Sequence, residues 1–318
     1  MTIAPPLKIT PPVTLPDAAF LKEKAASDHP VIIYQSYLDQ GQKAHVCPGA
    51  VPLDIAFNKG GTSREYELFQ LLHAHHKTIG LGDDAFWGSV SWKFELKAPT
   101  PFSDFLAEAE AAHRFGFDCY AYNPLIGNFS IYANVWEQGR VGHGNMRPII
   151  DYMLQRGLPL GQPQGLSSFF FCNYVCGNER FWSSYFSFCE NILGDLEEHA
   201  RRGTPVGIAY AGSANYGRSP ELTMRPFVIE RLLGLFLQSA VPQGLKLAVY
   251  TPTKEHFDDK FGSRLANSFY PLYLKKIAMA ETRTKEAFDD WNKARLSVFE
   301  SPMLACHADD PPPWVLNR

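Results

Sequence analysis

Phe169-Phe170-Phe171-Cys172-Asn173-Tyr174-Val175-Cys176-Gly177-Asn178-Glu179-Arg180-Phe181-Trp182 is the stretch on which the fold turns. It reads as a buried strand over Phe169–Val175, ending in Asn173 and Gly177, with an aromatic helix starting directly after it. Strand ends that present amides and glycines to a crevice are where open α/β folds hold polar ligands. A second junction of this kind, Asp118-Cys119-Tyr120-Ala121-Tyr122-Asn123-Pro124, lies about fifty residues upstream. Two such turns, rich in amides and rings, point to a sugar-sized polar substrate.

Working outward, the chain alternates strands and helices. Val31–Tyr37 is continuous, β-branched and aromatic, as a first parallel strand should be. Phe86–Phe94, Asp118–Tyr122 and Leu245–Tyr250 read as further strands. Asp17–Ser27 reads as a helix capped by Asp17, and Pro48–Asn58 as irregular. Helices are predicted over Ser63–His73, Pro101–His113, Asn145–Arg156, Glu179–Arg202 and Pro226–Ser239, and through most of Lys254–Arg295. In the Glu179–Arg202 segment, Phe181, Tyr185, Phe188, Ile192 and Leu196 share one face. Ala209–Arg225 is polar and rich in Gly, Ser and Asn, like a loop that caps a site. The alternation predicts an α/β fold with a mostly parallel central sheet flanked by helices and a C-terminal helical extension. Three regions follow: a Pro-rich arm with a short helix (1–30), a main domain (31–253), and a helical extension with an irregular tail (254–318).

Composition narrows the function classes. The chain has 318 residues, 45% hydrophobic and 20% charged, with a formal net charge of −3. That balance gives no general attraction for nucleic acid or an anionic membrane. The longest apolar runs fall short of the ~20 residues that a spanning helix needs. Six scattered cysteines and no signal peptide predict reduced thiols in a cytoplasmic protein.

Several groups carry candidate chemistry. Cys172 and Cys176 lie four apart, but no second cysteine pair offers zinc spacing, and filling core is the simpler reading. His73, His75 and His76 lack the acidic partner of a metalloprotease helix and read as a polar helix end. Gly80-Leu81-Gly82-Asp83-Asp84 lacks the residues of a phosphate loop. Asp83 and Asp84 are either hard-oxygen cation ligands or a plain turn. In Asn134-Val135-Trp136-Glu137-Gln138-Gly139, Trp136 offers a stacking face and its neighbours offer donors and acceptors for hydroxyls, against an equally simple structural role. Glu230-Arg231, set in an apolar helix, is either a structural ion pair or a carboxylate placed for general-base work.

The order of these elements resembles the bacterial glycosyltransferase-like proteins of capsule and lipopolysaccharide gene clusters. The likeness rests on Arg64-Glu65-Tyr66, Trp87–Phe94, Asp118–Pro124, Asn173–Trp182 and Phe227–Leu233, and it covers about Val31 to Tyr250. Ser91-Trp92-Lys93-Phe94 stands where the related group has His-Tyr-Arg-Arg, so Lys93 is the basic group left there. No Asp-x-Asp motif is present.

The resemblance implies a GT-A-like fold and a nucleotide-sugar-dependent glycosyltransferase of surface polysaccharide assembly, building O-antigen, capsule or lipopolysaccharide. The implied partners are a nucleotide-sugar donor and a glycan or lipid-linked glycan acceptor, with no nucleic acid. The implied place is the cytoplasm, peripherally on the inner face of the inner membrane. Lys93 and Arg64 would then meet the diphosphate, and Glu230, or failing it Glu137, would deprotonate the acceptor. Trp92, Tyr122 and Trp136 would stack on rings, while Asn123, Asn134, Asn173 and Gly177 line the crevice. A Mn2+ or Mg2+ ion would be held by Asp118 or Asp83. The rival from another class is a noncatalytic carbohydrate-binding or scaffold protein of the same system. A cysteine-dependent hydrolase using Cys172 or Cys176 is the third reading.

Overall fold

A computed structural model describes residues 15–28, 30–56, 65–214, 222–241 and 243–300. Helix α1 (Ala18–Ala25) starts where expected, because the Asp17 carboxylate accepts from the Ala19 and Phe20 amides at 2.7 and 3.3 Å. Strand β1 (Val31–Tyr37) follows, buried along its whole length. A short α2 (Gln40–Lys43) leads to β2 (Val51–Asp54), a strand in the region predicted to be irregular. Its alternation of buried and exposed residues spans only four positions, too few for sequence period to declare it.

Helix α3 (Glu65–Ile79) buries Tyr66, Phe69, Leu72 and His76 at helical spacing. After it come β3 (Phe86–Ser91), α4 (Phe94–Lys97), α5 (Phe102–Arg114) and β4 (Cys119–Ala121). Three helices then pass in succession: α6 (Ile126–Ile131), α7 (Val135–Gly142) and α8 (Arg147–Gln155). Strand β5 (Val175–Gly177) and α9 (Glu179–Arg201) follow. Next are α10 (Pro205–Ala211), α11 (Arg225–Ala240) and β6 (Leu247–Val249). The chain closes on α12 (Lys254–Thr282) and α13 (Lys285–Glu300). The expected capping loop at Ala209–Arg225 begins as α10, and its residues 215–221 lie outside the described ones.

Among the described residues the sheet has six strands in the order β2-β1-β3-β5-β4-β6. All are parallel except β5, which runs against both neighbours. The fold is therefore α/β, with a mostly parallel central sheet flanked by helices and a C-terminal helical part in which α12 packs on α6 and α13. No helix among the described residues is long and apolar enough to cross a membrane.

The deciding stretch departs from expectation in a way that matters for the site. Phe169–Tyr174 is not a strand but an irregular, buried segment lying against α11. Only Val175–Gly177 pairs in the sheet, and it pairs antiparallel. A run of apolar aromatic residues says that a segment is buried, but not whether its backbone bonds to a strand or packs on a helix.

Candidate functional site

The reversed β5 decides which residues reach the crevice at the carboxyl ends of the parallel strands. Val175 pairs with Ser89 and Ala121, so the residues entering β5, Asn173 and Tyr174, lie at that edge. Gly177 pairs with Trp87 and Cys119 and leaves at the opposite edge. The single pocket expected to hold both Asn173 and Gly177 is thereby split.

At the carboxyl edge a polar cluster assembles from six segments. The Ser91 hydroxyl, closing β3, and the Tyr174 hydroxyl are hydrogen-bonded at 2.7 Å. The buried Asn173 amide donates to the Glu65 carboxylate at 3.3 Å, from the first turn of α3. The Asn173 amide oxygen has no hydrogen-bond partner among the described residues, although it is removed from water. Lys97, at the end of α4, carries its ammonium 5.8 Å over the Tyr174 ring. Tyr174 and Cys172, and then the Glu65 and Glu230 carboxylates, hold that ammonium above its ordinary range against the cost of burial. Lys260, from α12, donates to the Lys97 carbonyl. Burial and the charge of Lys97 lower the Lys260 amine to about 8.

Behind the cluster, Arg231 is buried among acceptors. It donates to the Val135 and Phe227 carbonyls at 2.9 and 2.5 Å and to the Gln138 amide oxygen. This guanidinium ties α11 to α7 and so fixes the turn of helix that presents the half-buried Glu230. Burial first of all raises the Cys172 thiol to about 11, which leaves it protonated and poorly suited to act as a nucleophile.

The other predicted residues fall into three groups. Trp92 and Lys93 follow β3 at the same edge, with the Lys93 ammonium 5.1 Å over the Trp92 ring. Asn123 also stands at this edge, but its side chain accepts from the Leu125 amide at 2.9 Å and lines a cavity of only about 10 Å³. Tyr122 is core rather than a stacking platform: it is fully buried, stacks on Tyr250 at 4.3 Å, and bonds the Thr100 hydroxyl at 2.7 Å.

Residues 134–137 build a helix start, which corrects their assignment to substrate. Asn134 caps α7 by accepting from the Trp136 and Glu137 amides at 3.0 and 2.8 Å. Trp136 is buried, so its faces meet protein. Glu137 accepts from the Ala133 amide at 2.5 Å and pairs with Arg295 at 2.9 Å, which engages the carboxylate in structure rather than as a second base.

Asp118, Gly177 and Asp83 lie at the amino edge, away from the cluster. Asp118 precedes β4 and accepts from the Lys246 amide at 2.8 Å, Arg180 at 3.0 Å and Asn178 at 3.2 Å. It staples the starts of β4 and β6 to the start of α9. A Cβ on Gly177 would sit 2.6 Å from the Phe181 ring and 2.8 Å from the Asp118 carbonyl, so this glycine serves close packing. Asp83 is exposed in the turn before β3. Arg64 lies outside the described residues.

Of the two residues expected to hold a divalent cation, Asp118 directs its carboxylate to Lys246, Arg180 and Asn178, and Asp83 stands exposed in a turn. Among the described residues no three His, Cys, Asp or Glu side chains converge on a metal-sized position. The histidines of α3 each have another partner: Glu179 for His73 at 2.9 Å, the Pro16 carbonyl for His75 at 3.2 Å, and the Tyr34 hydroxyl for His76 at 2.7 Å.

The tertiary structure thus brings Asn173 and Glu230 into one cluster and adds Glu65, Lys97 and Lys260, which sequence reasoning passed over. Glu65 adjoins the quoted Arg64, and Lys97 follows Lys93 by four on α4, so both were within reach of a search for charges just beyond strand ends. Nothing local marks Lys260. Compared with protein families, characterised proteins and solved structures, this chain matches none.

Proposed function

We propose that this chain is a nucleotide-sugar-dependent glycosyltransferase that extends a glycan or lipid-linked glycan of a bacterial surface polysaccharide, with Glu230 as the acceptor base. The observation that carries the reading is the carboxyl-edge cluster itself, where carboxylates, ammonium groups and a buried unpartnered amide oxygen meet. Such a set suits a ligand bearing both hydroxyls and a diphosphate. A mostly parallel sheet with one reversed strand is compatible with the GT-A resemblance.

In the reaction so read, Glu230 accepts the proton of the acceptor hydroxyl as its oxygen bonds to the anomeric carbon of the donor. The bond from that carbon to the diphosphate oxygen breaks, and the electron pair leaves with the nucleoside diphosphate. Cationic side chains facing that oxygen stabilise the charge that develops there. Asn173, gripped by Glu65 through its amide N–H, is left with an acceptor oxygen for a sugar hydroxyl.

The test is transfer from a panel of nucleotide-sugars by wild type and Glu230→Gln. General-base removal is expected to lower turnover on the order of 10²–10⁴-fold with donor binding retained. Full turnover in Glu230→Gln rejects this residue as the base. Donor binding without turnover by wild type, on any acceptor glycan, favours a noncatalytic binder.

A further inference from the structure

The cluster contains a feature that the sequence reading did not assign: two lysines from distant parts of the chain that meet. Lys97 ends α4, and Lys260 comes from α12, in the region set apart by sequence as an extension. The Lys260 ammonium donates to the Lys97 main-chain carbonyl, and the Lys97 charge is among the influences on the Lys260 amine. What brings Lys260 there is a break in α12. Gly262 takes φ 74° and ψ 153° inside the helix, a conformation that costs glycine little and other residues a good deal. The short first segment of α12 can thereby turn away from the long second one and lay Phe261 on Gly127 of α6. Lys260, one residue before Phe261, is carried to the carboxyl edge.

Both side chains are half-buried, and burial together with the Lys97 charge makes the Lys260 ammonium costly to keep. The lowering of the Lys260 amine to about 8, with Lys97 among its causes, is the signature of that cost. A dianion placed against both groups relieves it. The Glu65 and Glu230 carboxylates act on the Lys97 charge, so a diphosphate bound against Lys97 would come near the proposed base.

Resting on the glycosyltransferase reading, we infer that Lys97 and Lys260 are the diphosphate-binding residues of this site and take the place of a divalent metal. They meet at the edge where Asn173 and Glu230 stand, whereas the acidic residues expected to hold a cation stand elsewhere or make other bonds. The Gly262 break makes α12 part of the site.

The experiment is calorimetric titration of the full chain with uridine, guanosine, cytidine and adenosine diphosphates, in excess EDTA and again with Mn2+ or Mg2+. At least one nucleoside diphosphate is expected to bind in EDTA, with pyrophosphate competing. Lys260→Met and Lys97→Met are each expected to weaken that binding at least tenfold, while Lys260→Arg retains most of it. Binding that appears only when a metal is added overturns the inference and leaves the transferase reading standing. Wild-type affinity in both methionine variants in EDTA also overturns it. Failure of wild type to bind any of the four under either condition overturns the inference and the transferase reading together. The wild-type titrations decide the metal question even where a variant fails to fold.

Discussion

A glycine-to-alanine change at position 234 should damage this protein, although the same change at position 194 should improve it. Both glycines lie inside helices, α11 and α9, where alanine is favoured by about 0.8–1 kcal/mol on backbone grounds. At Gly194 a Cβ would meet nothing within 4 Å, so that gain should appear undiminished. At Gly234 the added Cβ would stand 2.2 Å from the Ser168 carbonyl oxygen and 3.3 Å from the Phe170 amide nitrogen. Ordinary contact begins near 3.4 Å, so α11 must retreat by roughly 1 Å. The obstacle is backbone, in a segment pinned by the fully buried Phe169 and Phe170, and it cannot rotate aside. Overpacking of this kind costs ~1–3 kcal/mol and occasionally more, and here it loosens a helix buried along most of its length. A net loss of about 1 kcal/mol is expected, after the helix-propensity gain is subtracted.

Urea denaturation of Gly234→Ala, Gly194→Ala and wild type measures the difference directly. Because Glu230 lies one turn before Gly234, the proposed transfer activity should fall further than the loss of folded protein explains. A Gly234→Ala protein as stable as wild type would refute the packing of Phe169–Phe171 on α11, and with it the placement of the cluster.

Further outcomes follow from the charges. Burial, then the neighbouring His75 and His73, lower His76 to about 3, with Glu179 opposing, while it bonds the Tyr34 hydroxyl of β1 and meets the Trp87 ring of β3. Its folded pKa lies below its unfolded one, so the unfolded chain binds the extra proton between about 6.5 and 3, and stability falls as pH falls through that window. The contribution is on the order of 5 kcal/mol in full, and His76→Gln should remove one proton from the acid slope measured by denaturation at pH 6 to 4.

Lys260 titrates the other way in its effect on binding. Its ammonium form is lost above about 8, so diphosphate affinity in EDTA should decline from pH 7 to 9, and Lys260→Arg should abolish that decline. Asp118→Ala strips an acceptor from Lys246, Arg180 and Asn178 at the amino edge. It should cost ~2–4 kcal/mol in urea denaturation while leaving nucleoside diphosphate affinity within about twofold of wild type, and a large loss of affinity would return Asp118 to the site.

Much of the fold is legible in local pattern. β1, α5, α9 and α11 stand within a residue or two of where hydrophobic period and strand or helix signals put them, and Asp17 caps α1 as its type and position dictate. These features depend on neighbours a few residues away, which any chain carries with it. Glu230 in its apolar helix and Asn173 beside the aromatic helix start were visible for the same reason: a polar group amid apolar ones is conspicuous in the chain.

Tertiary structure alone decided the direction of β5, because a strand's hydrogen-bonding groups are the same whichever way its partners run. That one reversal put Asn173 rather than Gly177 at the carboxyl edge, while Asp118, which precedes the parallel β4, staples the far edge whichever way β5 runs. It was also tertiary packing that joined Lys260 to Lys97 across 163 positions of sequence, through a helix broken at Gly262. Charge and hydrophobic period report what each residue needs, but which distant segment meets that need is settled only when the layers close on one another.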